Sequence, residues 1–201
     1  LLIGIGETRE ERLLSLLALR DLHAEHGHLQ EIILQNFVPK AGTKMAEVPA
    51  PPFEELLWTI AMARHVFGAA MSLQAPPNLN TGRLEAIIAA GCNDWGGVSP
   101  VTVDHVNPES PWPQLDSLAA QTRAAGKTLV PRLTVYPHYI EKRAEWLHPG
   151  IIASVLKHAD ASGFARSDDW SPGAGLEPPP VADSPAMPSL RPTAPMLRLM
   201  E

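Results

Sequence analysis

The sequence predicts an α/β fold built from parallel β/α units. Short apolar runs alternate with amphipathic stretches at intervals of about 20 to 40 residues, the spacing that a helical crossover between parallel strands requires. The first apolar run, residues 1–5, is short and continuous, the pattern of a strand covered on both faces. Glycine and proline punctuate the alternation, with Gly6 after the first run, Pro76 and Pro77 after the third, and Gly91 after the third helical stretch. Four such units can be traced, and periodicity alone leaves open a small doubly wound sheet or half of a barrel.

Residues 1–5 form the first strand, closed by Gly6. Thr8 and Glu11 have capping-box spacing and start a helix whose apolar face is Leu13, Leu14 and Leu17, running to about Gly27. Residues 29–37, rich in Ile and Leu, are the second strand. The next helix, over 53–67, sets Phe53, Leu56, Leu57 and Ile60 at i, i+3, i+4 and i+7, one stripe for packing on a sheet. Residues 71–75 are a third strand, ended by two prolines that cannot both join a ladder. Leu84, Ile87 and Ile88 mark a third helix, residues 94–98 a short fourth strand, and 114–125 another helix. Beyond 129–135 the pattern weakens into two helices, over 138–147 and 151–158. From Ser171 onward repeated prolines leave no face to bury, so the chain divides into a domain over 1–170 and a flexible Pro-rich linker or tail over 171–201.

A chain of 201 residues with 45% apolar content suits one core and an appendage. Its net charge of -6, with scattered Lys and Arg, gives no footprint for a phosphate backbone, so nucleic acid is not an expected partner. The longest apolar runs fall far short of the roughly 20 residues that span a bilayer, and no membrane partner is expected. The single cysteine, Cys92, and the lack of a secretory signal point to the cytoplasm. Beginning on Leu1, Leu2 and Ile3 without a methionine, the chain reads as a fragment that starts inside a strand.

The polar residues at strand ends are the candidate site. Gly4-Ile5-Gly6-Glu7-Thr8-Arg9 joins a strand to a helix as a dinucleotide fingerprint does, but Arg9 stands where that fingerprint needs Gly or Ala. What remains is a turn that lets a ligand approach the backbone beside Glu7. Asn93, Asp94, Trp95, Gly96 and Gly97 form the densest polar cluster, with Trp95 able to cover a planar ligand. Gln74 and Asn78 occupy the end of the third strand, Gln35 and Asn36 that of the second. Amides repeated at successive strand ends suit neutral donors and acceptors such as those of a uracil or adenine ring. His23, His26 and His28 do not share one helix face, which favours a solvated helix end over a metal site. Ser99, Asp104 and His105 lack a nucleophile elbow, and Cys92 reads as a small apolar filler.

These motifs resemble a known family. Leu2, Gly4 and Glu7 resemble the latter part of the Gly-x-Ile-x-Gly-x-x-Glu element on the fifth strand of radical S-adenosylmethionine (SAM) enzymes. Gln35-Asn36-Phe37 with Pro39-Lys40-Ala41-Gly42-Thr43 resembles the sixth strand and loop of the biotin synthase-like branch, and Gly91-Cys92-Asn93-Asp94-Trp95-Gly96-Gly97 its eighth-strand motif. Within that branch, residues 72–79, 93–102 and Asp104-His105-Val106-Asn107-Pro108 resemble the FO synthase family, in its CofG (7,8-didemethyl-8-hydroxy-5-deazariboflavin synthase) half. The resemblance implies the C-terminal half of a radical SAM TIM-like barrel. Its cofactors would be SAM and a [4Fe-4S] cluster, whose three-cysteine loop would lie upstream. The implied reaction is a radical lyase step on a tyrosine-derived adduct of 5-amino-6-ribitylaminouracil, giving the deazaflavin precursor of coenzyme F-420. On that reading, strand-end placement would set Gly4, Gly6 and Glu7 on the SAM side and Gln35, Asn36, Gln74, Asn78, Asn93, Asp94 and Trp95 on the substrate side, and the tail's composition would suit a linker to a CofH-like second half as a partner. No catalytic acid or base is expected, because the radical chemistry belongs to the cofactor. The other readings are a non-catalytic fragment or binding module, and a barrel enzyme without SAM.

Overall fold

The computed structural model describes residues 1–99 and 102–166, so the expected linker over 171–201 lies outside the described residues. Leu1–Arg166 is one compact unit of mixed helix and strand. In chain order it runs β1 (Leu2–Ile3), α1 (Arg9–His26), β2 (Glu31–Ile33), β3 (Gln35–Asn36), α2 (Phe53–Phe67) and β4 (Ser72–Gln74). A 3-10 turn (Asn78–Asn80), α3 (Leu84–Ala90), α4 (Leu115–Ala124), α5 (Pro137–Glu141), α6 (Arg143–Trp146) and α7 (Pro149–His158) follow.

The strands pair in parallel in two two-stranded sheets, joined through the run 31–36, so that β1, this run and β4 follow one another in chain order. β1 pairs with β3 in the register Leu2 to Gln35, and β2 with β4 in the register Ile32 to Leu73. A single bridge from Gln74 to Asp94 extends the order by one step. No closed barrel forms among the described residues. The two-residue period then sorts the side chains. Ile3, Ile32, Leu34, Leu73 and Ala75 are buried and pack in one cluster with Leu16 of α1, Leu56 and Ile60 of α2 and Ile87 of α3. The intervening positions Glu31, Ile33, Gln35, Ser72 and Gln74 face the other way, where Ile33 stays 40% exposed.

Helix boundaries follow local chemistry. Thr8 and Glu11 form the expected reciprocal capping box, Thr8 Oγ1 accepting from the Glu11 N–H, and Gly27 ends α1 in the left-handed conformation. α2 occupies the expected residues, and α3 ends at Gly91.

Five expectations are corrected. The first run is not covered on both faces, since Leu2 and Ile5 are 42% and 48% exposed. The second strand is split at Leu34, because residues 31–33 ladder with β4 and residues 35–36 with β1. The fourth strand over 94–98 does not form beyond the Asp94 bridge, because Gly96 turns into the left-handed region, with φ 73°. The helix over 138–147 breaks at Lys142, and on α1 the inward face is Arg12 and Leu16, leaving Leu14 exposed.

Candidate functional site

The sheet face opposite the buried cluster carries a cavity of about 260 Å³ at the carboxyl ends of β3 and β4. Its walls include Ile33, Gln35, Gln74, Pro76, Trp95, Asp104, Asn107 and Trp112. The alternation described above places Ile33, Gln35 and Gln74 there. The side-chain amides of Gln35 and Gln74 make no hydrogen bond to another described residue and stand open to a ligand. Trp95 also lines the cavity but is 8% exposed, and its indole N–H donates to Thr122 Oγ1 at 3.1 Å. It is anchored in the core from behind.

A strap formed by residues 102–112 supplies part of the cavity wall. Its hub is Asp104, whose carboxylate accepts from Asn78 Nδ2 at 2.9 Å, Asn107 Nδ2 at 3.1 Å and the Val106 and Asn107 N–H groups at 2.9 and 3.1 Å. Desolvation opposes ionisation of Asp104, but these donors outweigh it and hold its carboxyl below the usual range. None of its partners is a histidine, so Ser99, Asp104 and His105 form no relay. The strap is fastened again where Ser110 O accepts from Asn78 and where Lys40 pairs with Glu109.

The other sequence-derived candidates have structural partners. Asn78 is 4% exposed, and its Oδ1 alone lacks a partner. Asn36 Oδ1 accepts from Asn80 Nδ2 at 3.3 Å. Asn93 lies along the edge of β4, its Oδ1 accepting from the Leu73 N–H at 2.8 Å. Asp94 is gripped by Arg132 and accepts from the Gly96 N–H at 2.7 Å.

Residues 4–7 form a turn that does not line the cavity. Glu7 accepts from the Gly4 and Ile5 N–H groups, both at 2.8 Å, and faces Arg12 at 3.1 Å. Burial works against the charge, but the backbone donors and Arg12 prevail and keep the Glu7 carboxyl below its ordinary range. Gly4 has φ 95° and lies against Pro51, where a Cβ would fall 2.6 Å from Cγ, whereas Gly6 meets nothing.

Among the described residues no group of three His, Cys, Asp or Glu side chains is placed to hold a metal ion. His23 instead accepts from the Leu29 N–H at 3.2 Å. Burial pushes the Cys92 thiol up to about 11, against the thiolate a metal needs. A larger groove of about 740 Å³ between α2 and α3 is lined by Phe53, Glu54 and Arg83 and holds none of the candidates.

The chain is 48% identical over 183 residues to an FO synthase of Streptomyces coelicolor, a match to 90% of this chain and 21% of that protein. An FO synthase of Mycobacterium tuberculosis is 52% identical over 168 residues, 83% of this chain and 20% of that protein. The chain is FO synthase-like. It spans about a fifth of those two FO synthases. The 7,8-didemethyl-8-hydroxy-5-deazariboflavin synthase of Methanopyrus kandleri is 46% identical over 166 residues, 83% of this chain and 49% of that protein. No protein-family model matches the chain, and no solved structure does.

Beside these FO synthase-like motifs, sequence reasoning missed Arg132 and Trp112 and met Asn107 only as part of a motif, without a role. The Asp104-x-Val106-Asn107 spacing was a usable signal, since a short carboxylate bonds the N–H two residues on. Arg132 had none, because its partner Asp94 lies 38 residues away.

Proposed function

We propose that this chain is the substrate-side part of a radical SAM lyase of the FO synthase type. It would form part of a TIM-like barrel, with residues 1–170 as the domain part and 171–201 as a linker to a CofH-like half in the cytoplasm. The observation that carries the reading is the cavity with two unengaged amides, Gln35 and Gln74, at successive strand ends. Such amides suit the alternating donors and acceptors of a uracil ring. Parallel pairing in chain order supports a barrel segment over a doubly wound sheet, in which strand order reverses. No helix among the described residues is long and apolar enough to cross a membrane.

The iron-sulfur cluster does not fit the residues present, since the chain has one cysteine and it is buried with a raised pKa. Its ligands would come from outside this chain. SAM fits better: the turn at Gly4, Gly6 and Glu7 leaves Gly6 open to a close-approaching group, and Glu7 would act by holding that turn. Bound SAM would supply the hydrogen-abstracting radical once reduced by one electron from a cluster held outside this chain. The chain's own residues bind and orient the uracil-bearing substrate and exclude water beneath the strap.

The test is a chimera in which residues 1–166 replace the matching segment of the Methanopyrus kandleri relative. Deazaflavin formation and SAM consumption are followed by mass spectrometry. The chimera should form product, and Gln35→Ala with Gln74→Ala should abolish it while SAM cleavage persists. An inactive chimera, or one indifferent to losing both glutamines, would sink the proposal.

A further inference from the structure

Gln74 owes its position on the cavity wall to a glycine. A Cβ built at Gly96 would fall 2.1 Å from Gln74 Nε2 and 2.5 Å from its Cδ, so the amide lies directly on the Gly96 backbone. Gly96 has φ 73°, a conformation that residues with a side chain rarely adopt. One carboxylate fixes this turn, for Asp94 Oδ1 accepts the Gly96 N–H at 2.7 Å. Asp94 is itself gripped by Arg132, whose Nε donates to Oδ2 at 2.7 Å and whose Nη2 donates to Oδ1 at 3.1 Å. The two side chains are 20% and 10% exposed, so little water competes with this two-point contact. Arg132 is braced in turn by Glu31 at 3.6 Å and by the Tyr136 ring, 4.0 Å below its guanidinium carbon.

We propose that Arg132 is a positioning residue for Gln74, acting through Asp94 and the Gly96 turn, and that it thereby sets which hydrogen-bonding edge of a ligand the cavity accepts. The consequence for specificity rests on the cavity being the ligand site proposed above. The positioning is a property of the ligand-free chain. Lysine cannot reproduce it, because a single ammonium does not match both carboxylate oxygens in a planar fork.

The experiment uses the full 201-residue chain with its glutamine side-chain amides labelled with nitrogen-15 and no ligand added. Gln74 is identified by the signal lost in Gln74→Ala. Arg132→Met, Asp94→Asn and Gly96→Ala should each move that signal by more than a line width. Arg132→Lys, which can keep only one of the two contacts, should also move it by more than a line width though less than Arg132→Met, and Gln121 on α4 should stay in place. An unmoved Gln74 in Arg132→Met and Asp94→Asn, or a shift of equal size at Gln121, overturns the proposal. If Arg132→Met fails to fold, Asp94→Asn and Arg132→Lys carry the same two outcomes. An inactive chimera would remove the FO synthase reading and leave this result standing. An unmoved Gln74 would remove this proposal and leave that reading intact.

Discussion

Replacing Glu55 by glutamine tests whether charge holds α1 on α2. The Glu55 carboxylate accepts from Arg9 Nη2 at 2.7 Å and from Arg12 Nη2 at 2.6 Å. Arg12 is 6% exposed and also donates to Thr59 Oγ1 at 2.8 Å. Its Nε lies 3.1 Å from Glu7 Oε1 without the alignment of a hydrogen bond, so that contact is an ion pair only. Glutamine keeps the shape and one acceptor but removes the charge. A hydrogen bond to a charged group contributes about 1.5 to 3 kcal/mol, and the exposure of Arg9 and part of Glu55 screens this to a net loss of about 1 to 2 kcal/mol. With a urea slope of about 2 kcal/mol/M, the unfolding midpoint should fall by roughly 0.5 to 1 M. The hydrogen bonds from Arg9 and Arg12 hold the Glu55 carboxyl down at about 2, against the ordinary 4.5. A depressed carboxylate stabilises fully above its unfolded pKa and loses that contribution as pH falls through the folded one. The gap between wild type and Glu55→Gln should therefore be full at neutral pH and shrink as the pH drops from 4.5 towards about 2. Urea titrations followed by tryptophan emission measure it, helped by Trp58, whose ring lies 4.8 Å from the Arg9 guanidinium. No gap at neutral pH, or an equal gap near the acid end of the window, would refute the reasoning.

Leu73→Ala empties a fully buried position on β4 and should cost about 2 to 5 kcal/mol in urea unfolding, a loss below about 1 kcal/mol showing that the strand is not packed as described. Cys92, with its thiol pushed up to about 11 and little exposed, should react with an aromatic disulfide at about pH 8 only after denaturant is added, and rapid native labelling would contradict its burial. Asn78→Ala should loosen the strap and raise proteolytic cleavage within residues 104–110. Asn78→Asp should raise it further by setting a second carboxylate against Asp104, and unchanged cleavage in both variants would show that Asn78 does not fasten the strap.

Helices were legible because their signals are local. The Thr8 and Glu11 capping box and the Phe53 to Ile60 stripe are contained within one or two turns, and the structure realises both. Strands were legible as apolar runs, but their extent depends on which neighbour each residue meets. That is why residues 29–37 divide at Leu34 and why residues 95–98, with no further strand beside them, leave the ladder. Exposure of Leu2 and Ile33 on the face opposite the helices could not be read from the sequence, since a continuous apolar run looks the same whether one face or two are covered. The strap was partly legible in Asp104 and Asn107, whereas Arg132 depends on a distant partner.

Side-chain length explains which strand-end polar residues remain available to a ligand. Asp and Asn carry their polar atoms close to the backbone and are captured by N–H groups nearby. Asp94 bonds the N–H of Gly96, Asp104 that of Val106, and Asn93 the N–H of Leu73 on the adjacent strand. The added methylene of glutamine carries the amide beyond that reach, and at Gln35 and Gln74 it arrives on the cavity wall. Of the amides that marked successive strand ends in the sequence, the shorter ones shape the rim and the longer ones are left to read a ligand. Glu7 shows that length alone does not decide, because the turn at Gly4 curls the backbone onto its carboxylate. What frees Gln74 is its length together with a glycine neighbour that leaves the amide room without offering it a partner.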